Sequence, residues 1–318
     1  ERESEPSVYQ RRAKGGRILV TRRLAARSLL TGGFDIERGS TLASPAVFCI
    51  AFEICVPETI EELTQSRWRN TIGLSLSVDR TDLPLDPTAG HYLRSSTAWA
   101  PPWLLSDVTF LRWDGEGAKF HEFRPGWVAA FSLRLGTFFK SSTISPMGDF
   151  LPPEERFYAG GAYTVRGYGQ NQLGDGVYVT DSTVVDTDGE EIPHNSARFV
   201  PLGGTALGIA NAELRLPSPV FGRRMRLALF VDAGAIGTQN IWELSGSEWK
   251  VTPGVGLRIQ SPVGPARIDV AYNPYDPAIG PLYLARDDLL IRVRDDFRPA
   301  RGSFFSQFRV HLAVGQAF

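Results

Sequence analysis

The segment SQFRVHLAVGQAF at the end of the chain alternates strictly. Phe308, Val310, Leu312, Val314 and Phe318 share one face, Gln307, Arg309, His311, Ala313 and Gly315 take the other, and Gln316 alone breaks the apolar side. A period of two sends successive side chains to opposite faces of a strand, so a chain built this way is held to β structure with one apolar and one polar face. The pattern recurs. VTPGVGLRIQ sets Val251, Val255, Leu257 and Ile259 against Thr252, Gly254, Gly256, Arg258 and Gln260, and ARIDVAY sets Ile268, Val270 and Tyr272 against Arg267, Asp269 and Ala271. IGLSLSVDR and WVAAFSLRLG do the same, with Ile72, Leu74, Leu76 and Val78 on one apolar face and Trp127, Phe131, Leu133 and Leu135 on another. Strands are expected near 16–24, 29–38, 70–80, 91–100, 107–121, 127–139, 205–216, 225–236, 251–261, 265–273 and 306–318, with part of a further one around Ser7 to Arg11.

Alternation alone fits a soluble sandwich with its apolar face inward. Three features favour the inverted case, a transmembrane antiparallel β-barrel of outer-membrane type. The polar faces mix small residues with charges of both signs (Arg134, Arg258, Arg267, Asp269), as a wet lumen requires. Aromatics (Trp99, Trp127, Tyr272, Phe318) sit near strand ends, where an interfacial girdle belongs. Connections alternate between tight, as in SPVGP at 261–265, and long, as in the roughly 65 residues before the strand at 205–216. Single-chain bacterial barrels have even strand numbers, so eleven strands predict that the first ones lie upstream of this sequence.

Composition narrows the function classes. The net charge of -1 supplies no basic field, and no nucleic-acid partner is expected. The longest apolar run, AVFCIAFEICV at 46–56, carries Glu53 and is far shorter than the roughly 20 residues of a spanning helix. The histidines and cysteines lack zinc spacing, and no G-x-S-x-G or Walker loop is present, so neither a metal, a cofactor nor an enzyme is expected. Cys49 and Cys55 fit a local disulfide in an exported loop and equally fit two free thiols.

One stretch stands apart from the strands. ERFYAGGAYTVRGYGQNQLG crowds glycines around a single cation, Arg166, whose rigid fork of donors suits a carboxylate. This stretch resembles the VRGF or VRGY loop tip of the BamA and TamA superfamily of outer-membrane assembly and translocation barrels. SVDRTDLPLDPTAGHYL is similar to that family's periplasmic turn. IANAELRLPSP, LFVDAGAIG, GVGLRIQSPVGPARIDVAYNP and the closing FSQFRVHLAVGQAF resemble its later strands in order. The likeness runs from about residue 68 to the end, and less clearly from 16.

The resemblance implies that residues 1–318 are the C-terminal part of a barrel, with upstream strands and periplasmic POTRA domains. It implies a long outer loop at about 140–204 whose Val165, Arg166, Gly167 and Tyr168 fold into the lumen, where Glu213 and Asp232 on the wall hold the arginine. Gly315 and Phe318 are then expected in the last strand of a lateral seam, Gly315 as a point of bending. The implied activity is insertion of other outer-membrane proteins, templated at the seam. A two-partner-secretion pore and a passive structural barrel stand as alternatives. Expected partners are outer-membrane lipids, unfolded outer-membrane protein clients and a periplasmic lipoprotein or chaperone, in the bacterial outer membrane.

Overall fold

The computed structural model describes residues 2–5, 9–43, 65–142, 151–185, 191–193, 197–218, 222–244, 249–261, 264–286 and 289–314. Cys49, Cys55, Gly315 and Phe318 lie outside these residues. Eighteen strands occur among those described: β1 (Arg2–Glu5), β2 (Tyr9–Ala25), β3 (Ser28–Ala43), β4 (Arg67–Asp79), β5 (Gly90–Ala100), β6 (Thr109–Arg124), β7 (Trp127–Ser142), β8 (Gly176–Thr180), β9 (Thr183–Val185), β10 (Glu191–Pro193), β11 (Arg198–Pro201), β12 (Ala206–Ser218), β13 (Gly222–Gly237), β14 (Lys250–Ser261), β15 (Gly264–Tyr272), β16 (Gly280–Arg286), β17 (Leu289–Phe297) and β18 (Phe308–Val314).

Twelve of them form one antiparallel sheet in the order β1-β2-β3-β4-β5-β6-β7-β12-β13-β14-β15-β18. All eleven expected strands are present, and β1 adds a twelfth just before the predicted fragment. Among the described residues β1 pairs with β2 and β18 with β15, so the sheet has two free edges and is not closed.

Register fixes which face each side chain takes. One rung runs Leu214, Leu229, Val255, Val270, Val310 across five strands. Leu229, Val255 and Val310 of that rung are exposed, as befits a surface solvated by hydrocarbon. The face opposite carries Asp232, Thr252, Ala271 and Asp269, all buried. Aromatics band the outer face at both ends. Trp99 packs edge-on to Trp103 at 5.9 Å near the long connections, and Phe123 packs on Trp127 at 6.1 Å beside a short turn.

The inner face is not uniformly polar, as a wet lumen would predict. Toward the long-loop end Val108, Phe110, Phe138, Phe157, Val165, Leu173, Leu207 and Ile209 form a hydrophobic core inside the wall. Phe157, Val165 and Leu173 come from the connection between β7 and β12, which folds inward and supplies three of these eight residues. Phe138 lies 5.5 Å from Phe157 and 6.0 Å from Phe110. A second sheet, β11-β8-β16-β17, joins that same connection to the one between β15 and β18 through a parallel β8–β16 pair. The charged segment Leu289–Phe297 supplies β17 of this small sheet.

At the opposite end, the turn between β4 and β5 also reaches inward. Asp86 pairs with Arg226 and accepts from Gln260 Nε2 at 2.8 Å, while the Pro87 carbonyl accepts from Arg215 Nη1 at 3.2 Å. The turn is shaped by Asp82. Thr88 Oγ1 donates to it at 2.6 Å and the Thr88 and Ala89 amides at 2.9 and 3.1 Å.

Two expectations follow. Leu229→Arg should destabilise the barrel in lipid vesicles by about 2–4 kcal/mol, read from urea titrations; an unchanged midpoint would contradict the assignment of the outer face. Burial opposes the charge of Asp82, but the Thr88 side chain and the amides hold its carboxyl down at about 2. Its folded value lies below the unfolded one of about 3.9. Its contribution is therefore complete above that pH and fades as pH falls towards about 2. Asp82→Asn should lack that acid-sensitive increment when the urea midpoints of both proteins are compared between pH 5 and pH 2.

Candidate functional site

The tip of the inward loop is a tight turn, with the Tyr168 amide donating to the Val165 carbonyl at 3.1 Å. Two glycines make it sterically feasible. Gly160 has φ +110°, a region that side chains disfavour, and a Cβ on Gly167 would collide with the Thr252 side chain on β14. The backbone can therefore lie directly on the wall, which delivers Arg166 to the inner face at 1% exposure.

Arg166 meets a prepared set of acceptors. Nε and Nη2 donate to the two oxygens of Asp232, each at 2.7 Å, in a bidentate fork, and the Arg166 amide adds a third bond to the same carboxylate at 3.0 Å. Nη1 donates to Glu213 Oε2 at 2.9 Å and lies 3.6 Å from Asp269 Oδ2. The guanidinium stacks 3.4 Å from the centre of the Phe230 ring. That ring lies over Gly254, where any Cβ would displace it.

The carboxylates are themselves held. Asn211 Nδ2 donates to Asp232 at 2.9 Å and to the Thr164 carbonyl at 2.7 Å, and the Ser132 hydroxyl bonds Asn211 at 3.0 Å. Arg215 donates to Glu213 at 3.0 Å and Arg258 at 2.6 Å. Asp269 accepts from Arg258 at 2.5 Å and from Arg267 at 2.7 Å. Four arginines (166, 215, 258, 267) thus interlock with three carboxylates (213, 232, 269), and Asp86 on the inward turn meets Arg215 at 3.5 Å.

The loop also reaches the edge strand. His311 Nε2 on β18 donates to the Arg166 carbonyl at 2.7 Å, the Tyr163 hydroxyl donates to the Val314 carbonyl at 3.0 Å, and Arg267 donates to the Ala162 carbonyl at 2.6 Å. Arg166 is thus the junction between loop, wall and free edge.

Val165, Arg166, Gly167, Tyr168, Glu213 and Asp232, which the sequence singled out, are brought together here. Arg215, Arg258, Arg267, Asp269, Phe230 and His311 were not assigned to the site. Their signal lay in the alternation, which put Arg258, Arg267, Asp269 and His311 on the polar face.

A second anchor was missed altogether. Where the loop enters, the turn Pro153–Glu155 docks on the far wall. Arg69 of β4 bridges Glu37 of β3 and Glu155, Arg11 of β2 donates to Glu37 at 2.7 Å, and Thr41 donates to Glu154 at 2.7 Å. The loop is pinned to β2–β4 at one end and to β12–β18 at the other, a strut across the interior. The acid pair in LPPEE was its only sequence sign.

Removing one member of a buried ionic cluster strands its partners, and typically costs about 3–5 kcal/mol. Arg166→Ala and Asp232→Ala should each lower the urea stability of the refolded chain by about that much, and the double variant should be little worse than either. Additive losses would show that the two do not act as a unit.

Residues 1–318 match the Omp85 superfamily domain. Over 147 aligned residues, covering 38% of this chain and 17% of the relative, the sequence is 30% identical to the outer membrane protein assembly factor BamA of Neisseria meningitidis serogroup B (strain ATCC BAA-335 / MC58). Among solved structures it is similar to BamA from Haemophilus ducreyi lacking POTRA domains 1-3, with a TM-score of 0.64, 15% identity, and coverage of 90% of this chain and 54% of that one. CdiB from Acinetobacter baumannii aligns with a TM-score of 0.47 and 12% identity over 91% of this chain and 41% of its own. The chain therefore spans about half of the Haemophilus structure, and the aligned part a much smaller share of the Neisseria protein. The Haemophilus likeness identifies the fold as that of a BamA barrel. The chain belongs to the Omp85 superfamily and is a β-barrel protein of the bacterial outer membrane.

Proposed function

We propose that this barrel assists the insertion of other outer-membrane proteins by offering the edge of β18 as a pairing template. The observation that carries this reading is the state of β18. It is bonded to β15 along one side, has no second partner among the described residues, and is fixed from within by the loop through His311 and Tyr163. An unpaired strand in hydrocarbon leaves its amides and carbonyls unsatisfied at several kcal/mol each. A wall that exposes such an edge on demand lets an incoming strand pair before it meets lipid, as in β-augmentation. The chain's likeness to a named assembly factor supports the reading.

The packing inside the barrel supports the same choice. Phe157, Val165 and Leu173 fill the interior toward the long-loop end, so the resting barrel is suited to working at its wall. Arg166 then acts as a latch. Its contacts to β12, β13 and β18 set how far the edge strand can move relative to the rest of the wall. Clients would be unfolded outer-membrane proteins, delivered by a periplasmic chaperone or held with a lipoprotein partner, and periplasmic POTRA domains upstream would receive them. Template work of this kind makes and breaks no covalent bond.

The test is positional crosslinking during client assembly. A cysteine at Leu312 on β18 should form disulfides with cysteines placed in the client's own terminal strand, whereas a cysteine at Leu229 in the middle of the wall should not. Arg166→Ala should reduce the yield of folded client. Crosslinks confined to inner-face positions such as Arg134 would mean that substrates pass through the lumen, and would overturn the template reading.

A further inference from the structure

On the outer face of β2 and β3, Lys14 stands directly opposite Arg38, and Arg38 directly opposite Trp68 on β4. Arg12 follows on the same face one rung further towards the long loops, opposite Ser40. All three cations are exposed, and among the described residues none has a carboxylate within ion-pairing distance. The inner face of the same strands is different, since Arg11 and Arg69 share Glu37 and Arg17 pairs with Asp35. Like charges set directly opposite on adjacent strands repel. A wall that neutralises each of these inner cations but leaves three outer ones together has room for an anion from outside.

The position says which anion. The register places Lys14 and Arg38 level with Trp68, two rungs beyond Ile72, whose partner Trp99 belongs with Trp103 to the aromatic band on the long-loop side, which in outer-membrane barrels is the cell exterior. The Arg38 guanidinium lies 5.8 Å over the Trp68 ring. The apolar residues Ile36, Ile72 and Leu74 follow towards the membrane centre on the same face. Cations at headgroup depth above an apolar surface fit a lipid whose head is anionic and whose chains lie along the wall. Neighbouring strands are about 4.8 Å apart and successive rungs about 6.7 Å. Three cations spread over that area exceed the single phosphate of a glycerophospholipid and match a head carrying two. The geometry points to Arg12, Lys14 and Arg38 as a binding site for the phosphates of an outer-leaflet glycolipid, with Trp68 flanking the headgroup.

The experiment is native mass spectrometry of the full chain in dodecyl maltoside, titrated with diphosphoryl lipid A, its dephosphorylated form, or phosphatidylglycerol. The wild-type chain should bind diphosphoryl lipid A at least about tenfold more tightly than the Arg12→Gln/Lys14→Gln/Arg38→Gln variant. Arg22→Gln, on the same face at the other end of β2, should bind like wild type. Dephosphorylated lipid A should bind wild type as weakly as the triple variant binds the phosphorylated form. That comparison needs no mutant and decides the matter should the triple variant misfold. Equal affinity for the two forms of lipid A, an unaffected triple variant, or displacement by an equal concentration of phosphatidylglycerol would each overturn the assignment.

Discussion

A guanidinium can be buried in a protein only where fixed acceptors replace its water, and much of this barrel's interior is arranged around that requirement. Asp232 gives Arg166 a bidentate partner, Glu213 takes the remaining nitrogen, and Phe230 covers the flat face. Each acceptor then needs its own neutralising partner, which brings in Arg215, Arg258 and Arg267 and, through them, the inward turn at Asp86 and Pro87. Such a cluster contributes little net stability against a well-packed apolar alternative, because desolvation offsets most of the attraction. What it supplies is uniqueness. A loop held by packing alone could settle at several depths, whereas a fork with two matched oxygens has one.

The strands were legible because hydrocarbon on one side and a polar interior on the other impose a strict alternation, and every predicted strand lies within or close to an observed one. The residues around Arg166 were legible in part, because Glu213 and Asp232 lie on polar faces within motifs of a recognisable family. What sat inside was not. Alternation reports which way Phe138 points but not that Phe157 will meet it, since that contact is made by a loop with no periodicity of its own. The same limit hid Glu154 and Glu155. Their partners Thr41 and Arg69 lie on distant strands, and only the folded chain shows that LPPEE spans the interior to reach them.

Charge is handled oppositely on the two faces of the wall. Within, Arg11 and Arg69 are matched to carboxylates where an unmatched ion would have little water to turn to, and the exposed Arg17 pairs with Asp35 as well. Without, Arg12, Lys14 and Arg38 stand at the level where tryptophans meet headgroups, and long cationic side chains can extend to the polar layer. One strand, β2, carries both solutions on alternate residues.

The small sheet above the barrel bears on the order in which the molecule is put together. Its parallel rung sets Tyr178 beside Leu282, roughly a hundred residues apart in the chain. The hairpins β12–β13 and β14–β15 are local and form quickly, whereas this pair must wait until the intervening strands have brought its two halves near. Contact order thus favours a wall made before its lid. On that order Glu213, Asp232 and Asp269 would face water until the loop carrying Arg166 comes down, and a barrel caught before that step would have its full wall with an unlocked interior.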